Sequence, residues 1–111
     1  MNENEESKEL KFEFYIAGVQ HHQLKTCISE VEVGNMLCMT LEPTNKYDAN
    51  AVRLEFVSVE QEATIMTGYV PAKISASVSA AITVTNMQCE VIELNVDEKP
   101  WKQIKVCIKE V

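Results

Sequence analysis

The stretch "EPTNKYDANAVRLEF", residues 42–56, changes character at its midpoint. From Val52 onward, Val52, Leu54 and Phe56 alternate with Arg53 and Glu55, the period-two pattern of a strand with one buried face. Ahead of that strand the chain gathers Pro43, Asn45, Tyr47, Asp48 and Asn50. A connection between neighbouring strands needs roughly two to five residues of turn chemistry. This loop is longer, and it sets an aromatic beside a carboxylate.

The same alternation recurs on both sides. "KFEFYIAG" puts Phe12, Phe14 and Ile16 on one face and stops at Gly18. "MLCMTLE" is launched by Gly34-Asn35 and closed by Pro43, and "ATIMTGYV" follows the central strand. "MQCEVIEL" and "WKQIKVCIKE" face each other across "NVDEKP", with Ile104, Val106 and Ile108 inward. One segment departs from this rhythm. In "PAKISASVSAAI", Ile74, Val78, Ala81 and Ile82 fall at i, i+4, i+7 and i+8, which predicts a helix with Pro71 in its first turn. Leu24, Cys27, Ile28 and Val31 also have helical spacing, but their β-branched neighbours leave residues 22–33 open between helix and loop. Six short strands and one or two helices leave too few crossovers for a doubly wound sheet. The pattern predicts a mainly β fold, a small closed or partly open barrel with a helix plugging one end.

The chain's 111 residues suit a single domain with a modest core. Residues 1–10, "MNENEESKEL", read as a disordered acidic tail, which leaves residues 11–111 as the domain. The tail lacks the basic start and apolar core of a signal peptide, and no apolar run reaches bilayer length, so a cytoplasmic protein without membrane attachment is expected. Cys27, Cys38, Cys89 and Cys107 form no C-x-x-C pair and are expected to be reduced and mostly buried. Met36, Met39, Met66 and Met87 are expected to fill core gaps. No metal or other cofactor is expected. The net charge of −7 argues against a generic phosphate-gripping protein, so any nucleic-acid role must rest on a local site.

"YIAGV", "GNMLCMTLEPTNKYDANAVRLEF" and "TGYVPAKIS" resemble, in order and spacing, the motifs of the HIRAN domain, over about residues 12–82. That module occurs fused to helicase-like DNA-repair translocases and as a stand-alone bacterial protein. The resemblance implies an OB-like barrel that recognises single-stranded DNA at a free 3′ end. It implies that Tyr47 stacks on a terminal base, that Asp48 accepts a hydrogen bond from the 3′-hydroxyl, and that Asn45 helps to hold the nucleotide. Asn50 and Ala51 match positions of structural character. Where the family carries a basic residue followed by two aromatics, this chain has Gln20, His21 and His22; Lys46 stands where proline is usual. Tyr69 and Lys73 belong to the third motif, and Lys73 and Arg53 are candidate phosphate contacts.

The residue types suit that role on physical grounds. A base stacked on an aromatic is worth roughly 1–3 kcal/mol and tolerates any sequence. A carboxylate repels phosphate and accepts from a hydroxyl, which disfavours a continuing strand or a 3′-phosphate. Imidazole offers a smaller stacking surface than tyrosine and gains charge near pH 6.5. A plainer alternative stands beside this one: Tyr47-Asp48 as a packed loop with Asp48 in an Asx-turn. The leading expectation is a non-catalytic module for single-stranded DNA ends, partnered by a helicase or repair protein. The alternatives are a protein-interaction domain that has lost DNA binding, and a metal-dependent nuclease or phosphohydrolase using Asp48 with His21. Two-metal chemistry needs several convergent carboxylates, and this region offers Asp48 and Glu42. No P-loop, nucleophile elbow or H-E-x-x-H is present.

Overall fold

All six alternating segments form strands in the computed structural model, which describes residues 10–111. They are β1 (Lys11–Tyr15), β2 (Met36–Leu41), β3 (Val52–Ser58), β4 (Ala63–Tyr69), β5 (Met87–Leu94) and β6 (Ile104–Glu110). The one α-helix among the described residues, α1 (Ala72–Val84), falls where the apolar stripe predicts it. Pro71 stands one residue earlier than expected, at the cap position in an extended conformation. The acidic tail lies outside the described residues apart from Leu10.

Residues 22–33 are neither a regular helix nor plain loop. Two short 3-10 turns, Leu24–Thr26 and Ile28–Glu30, follow a third at Val19–His21. Leu24, in the first of these two turns, and Cys27 and Val31, which flank the second, are buried, so the apolar spacing is satisfied by successive tight turns instead of one helix.

The strands form one antiparallel sheet in the order β1-β6-β5-β2-β3-β4. Val52 and Leu54 of β3, Val91 of β5, Val106 and Ile108 of β6 and Val78 of α1 meet in a fully buried core, the inward faces expected from the alternation. The pairing of β2 with β5 lasts two rungs, Met36 with Glu90 and Leu37 with Cys89, after which the strands diverge.

No continuous ladder joins the outer strands β1 and β4. A single bridge does: Ala17, just past β1, exchanges two backbone hydrogen bonds with Tyr69, N–H to O at 2.8 and 2.9 Å. The approach is close enough to require glycine. A Cβ on Gly68 would sit 2.5 Å from the Ala17 carbonyl oxygen and 2.6 Å from Ile16 Cγ2. The barrel is therefore tied at one point, and that point forms the floor of the site described below.

One expectation about side chains needs correction. Met36 is 50% exposed, because it alternates with buried Leu37 and so occupies the outer face opposite Glu90. Met39 and Met87 do pack against the core. Cys38 is exposed for the same reason of register, whereas Cys27, Cys89 and Cys107 are buried; all four are free thiols. Burial raises the Cys89 thiol to about 12. No helix among the described residues is long and apolar enough to cross a membrane.

Candidate functional site

The loop between β2 and β3 is an organised turn. Asn45 accepts hydrogen bonds at its Oδ1 from the backbone N–H groups of Tyr47 (2.9 Å) and Asp48 (3.1 Å), the Asx-turn that asparagine forms readily. Glu42 and Ala51 close the loop at its base, the Glu42 N–H donating to the Ala51 carbonyl at 2.9 Å. Pinned in this way, Tyr47 projects its ring outward and is 87% exposed. The Lys46 ammonium lies over it, 5.4 Å from the ring centroid. Lys46 thus puts a cation against the platform itself.

Asp48 turns the other way. Its Oδ1 accepts the Asn50 N–H at 2.9 Å, and its Oδ2 accepts the hydroxyl of Ser75 at 2.6 Å. Ser75 lies in the first turns of α1 and is 1% exposed. Asp48 therefore fastens the loop to the helix. A carboxylate offers about four acceptor positions, so two of them remain for a further donor.

Beneath the loop, Glu42 is the centre of a polar network. Its Oε1 accepts from Asn45 Nδ2 at 3.0 Å and from the Tyr69 hydroxyl at 2.8 Å. Its Oε2 lies 3.3 Å from an Arg53 terminal nitrogen. Burial pushes the Glu42 carboxyl upward, but the hydrogen bonds from Asn45 and Tyr69 and the charge of Arg53 outweigh it and hold the group below the usual carboxylate range. Burial and the adjacent carboxylate raise Tyr69, which stays a neutral donor. Arg53 is less available than its outward position in the sequence implies. Its Nε is also 3.3 Å from Glu55 Oε2, an ion-pair distance at which the alignment falls short of a hydrogen bond. Two carboxylates compete with any phosphate for this guanidinium.

Gly18 adopts the left-handed conformation (φ 72°) and turns the chain from β1 into the segment carrying Gln20, His21 and His22. His22 packs edge-on against Tyr69, with ring centroids 5.6 Å apart. Burial, then the neighbouring His21, lower its pKa, with Glu42 opposing, so its ring is neutral at pH 7. His21 and Gln20 are exposed.

These residues divide between two cavities. Tyr47, Asp48, Asn45 and Tyr69 line a cavity of about 220 Å³, with Ala17 and Gly18 of the barrel seam in its wall. Gln20, His21 and His22 line a larger one of about 560 Å³, with Lys25 and the β5–β6 loop residues Val96, Pro100 and Gln103. His22 reaches both regions through its contact with Tyr69. His21 and Tyr47 do not share a cavity. Lys73 is exposed on the first turn of α1.

The sequence offers Glu42 only as a second carboxylate for the metal-dependent alternative, and it offers no signal for Ser75. Glu42 precedes Pro43 in the central motif, where its spacing to Asn45 was a usable signal. Ser75 meets Asp48 across 27 positions of chain, and no local pattern announces that contact. Among the described residues, no group of three or more His, Cys, Asp or Glu side chains is placed to hold a metal ion.

The comparisons agree with this architecture. The chain superposes on the crystal structure of the HIRAN domain of human HLTF with a TM-score of 0.62 at 10% identity, covering 90% of this chain and 74% of that one. At that identity the likeness shows a shared fold. No curated protein matches the sequence. The family model for the HIRAN domain matches residues 10–109, nearly the whole chain, and the protein therefore belongs to the HIRAN domain family.

Proposed function

We propose that this protein is a non-catalytic DNA-binding module that takes the 3′-terminal nucleotide of a single strand at the β2–β3 loop. One observation carries the reading: Tyr47 is 87% exposed on a loop whose backbone Asn45 holds, so a flat aromatic surface is offered to solvent with, among the described residues, the Lys46 ammonium over it. Fixing the backbone beforehand removes an ordering cost from binding. The adjoining cavity of about 220 Å³ is smaller than a drug-sized pocket, which begins near 300 Å³, and suits one planar group. The terminal base stacks on Tyr47, and Asp48 uses its spare acceptor positions for the 3′-hydroxyl. Lys46 and Lys73 meet the phosphate between the last two nucleotides. The preceding nucleotide runs past Tyr69 and His22 toward the cavity lined by Gln20 and His21. The net charge of −7 weakens long-range attraction to DNA, so micromolar affinity at low salt is expected, with a helicase or repair protein bringing the module to its strand.

Alanine at position 47 tests the reading. Tyr47→Ala should weaken binding of any single-stranded oligonucleotide by roughly 1–3 kcal/mol in fluorescence anisotropy, with the melting temperature unchanged. Equal affinity of the variant and the parent would remove the stacking platform from the account. A second reading has its own support in the pairing of Arg53 with Glu42 and Glu55, which withdraws a cation from the site. On that reading the domain binds a protein, and no oligonucleotide binds even at low salt.

A further inference from the structure

Glu42 has a position that neither the stacking nor the end-reading role explains. One carboxylate oxygen receives two hydrogen bonds, from Asn45 Nδ2 and the Tyr69 hydroxyl, while the other faces Arg53. The consequence falls on Asn45. A primary amide can present either its oxygen or its nitrogen to a given neighbour, and the two orientations differ by a half-turn. With its NH₂ group committed to Glu42, Asn45 has its oxygen left facing the N–H groups of Tyr47 and Asp48. In the reverse orientation, NH₂ would oppose two backbone N–H donors and the amide oxygen would oppose a carboxylate.

Tyr69 gives this arrangement a fixed reference. Its backbone forms the bridge to Ala17 that ties the barrel, its ring contacts His22, and its hydroxyl holds Glu42. A chain of contacts therefore runs from the barrel seam through Tyr69 and Glu42 to Asn45, and from there to the loop carrying Tyr47. Glutamine replaces Glu42 in it only in part. With its oxygen toward Asn45 and Tyr69, its NH₂ would face the Arg53 guanidinium, donor against donor; turned over, its NH₂ would face the Asn45 NH₂, and the Tyr69 hydroxyl would have to rotate to accept.

We propose that Glu42 is a positioning residue of the nucleotide site: by fixing the orientation of the Asn45 amide against the anchored Tyr69 hydroxyl, it sets the loop geometry of Tyr47 and Asp48 without touching the ligand. The effect on DNA rests on the function proposed above; the effect on the loop does not.

The experiment has two arms. Backbone amide exchange is followed by NMR in the parent, Glu42→Gln and Tyr69→Phe proteins, the last removing a single hydroxyl. Exchange at Tyr47 and Asp48 should quicken on the order of tenfold in Glu42→Gln and by less in Tyr69→Phe, with Val106 in the core unchanged. Unchanged exchange at both amides in both variants would overturn the proposal. The second arm measures a 3′-hydroxyl oligonucleotide at low salt. Glu42→Gln should weaken binding in the parent and have no further effect in an Asn45→Ala background. A nearby negative charge with no positioning role would give the opposite sign, since its removal tightens binding to phosphate. Tighter binding, or a full loss that persists without Asn45, would also overturn it. Should the parent bind no oligonucleotide, the DNA-binding function fails, while the exchange arm still decides the role of Glu42.

Discussion

At the scale of single residues, Tyr47 and Asp48 are neighbours with opposite tasks. Tyr47 is spent on solvent, and Asp48 is shared between the fold and the site. The motif forms the Asx-turn and at the same time leaves Tyr47 exposed, so a packed turn and an open aromatic surface coexist in it. Because Asp48 accepts from Asn50 and Ser75, Asp48→Ala should destabilise the protein by about 1.5–3 kcal/mol in urea unfolding, the range for hydrogen bonds to a charged group. Ser75→Ala offers the useful contrast. It should cost stability by the same route and leave any preference among DNA ends intact. If Ser75→Ala is as stable as the parent, Asp48 does not fasten the loop to α1. Alternation and turn chemistry made the motif legible. They did not show where the Asp48 side chain points, because its partner is distant in sequence.

At the scale of elements, the strands were legible and their order was not. Period-two alternation identifies Val52, Leu54 and Phe56, or Ile104, Val106 and Ile108, as one buried face whichever strand lies alongside. Neighbour choice depends on contacts far apart in the chain, such as β1 against β6, which no short window contains. The segment 22–33 was ambiguous for a different reason: a spacing of three or four suits both α-helix and consecutive 3-10 turns, and here the turns prevail. The barrel seam is the element most exposed to a single change. Gly68→Ala would drive a methyl group into the Ala17 carbonyl and Ile16. It should lower stability by at least about 1–3 kcal/mol, the usual cost of overpacking. Hydrogen exchange at Ala17 and Tyr69 should rise with it. A variant with parental exchange at both amides would show that the bridge does not depend on glycine.

At the scale of the whole molecule, the site is linked to acid stability. His22 has a lowered pKa, so the folded protein resists a proton that the unfolded chain accepts; stability should start to fall as pH drops below about 6.5. Glu42 also has a lowered pKa. Its contribution is fully present above the ordinary carboxylate value of 4.5 and is lost as pH falls through its lower folded value. Arg53 and the Tyr69 hydroxyl face the same carboxylate, so protonating Glu42 weakens the network around it. Unfolding free energies of the parent and Glu42→Gln, measured from pH 7 to pH 3, should differ most above 4.5 and converge below it. A constant difference across that range would mean that the charge of Glu42 contributes nothing to the fold.

The central claim is that this acidic barrel reads the end of a strand. The most direct measurement is fluorescence anisotropy at low salt with one labelled oligonucleotide presented as a free 3′-hydroxyl strand, a 3′-phosphate strand and a blunt duplex. The 3′-hydroxyl strand should bind most tightly, and Asp48→Ala should bring the 3′-phosphate strand level with it. Equal binding of the hydroxyl and phosphate ends by the parent protein, or no binding of any of the three, would contradict the account.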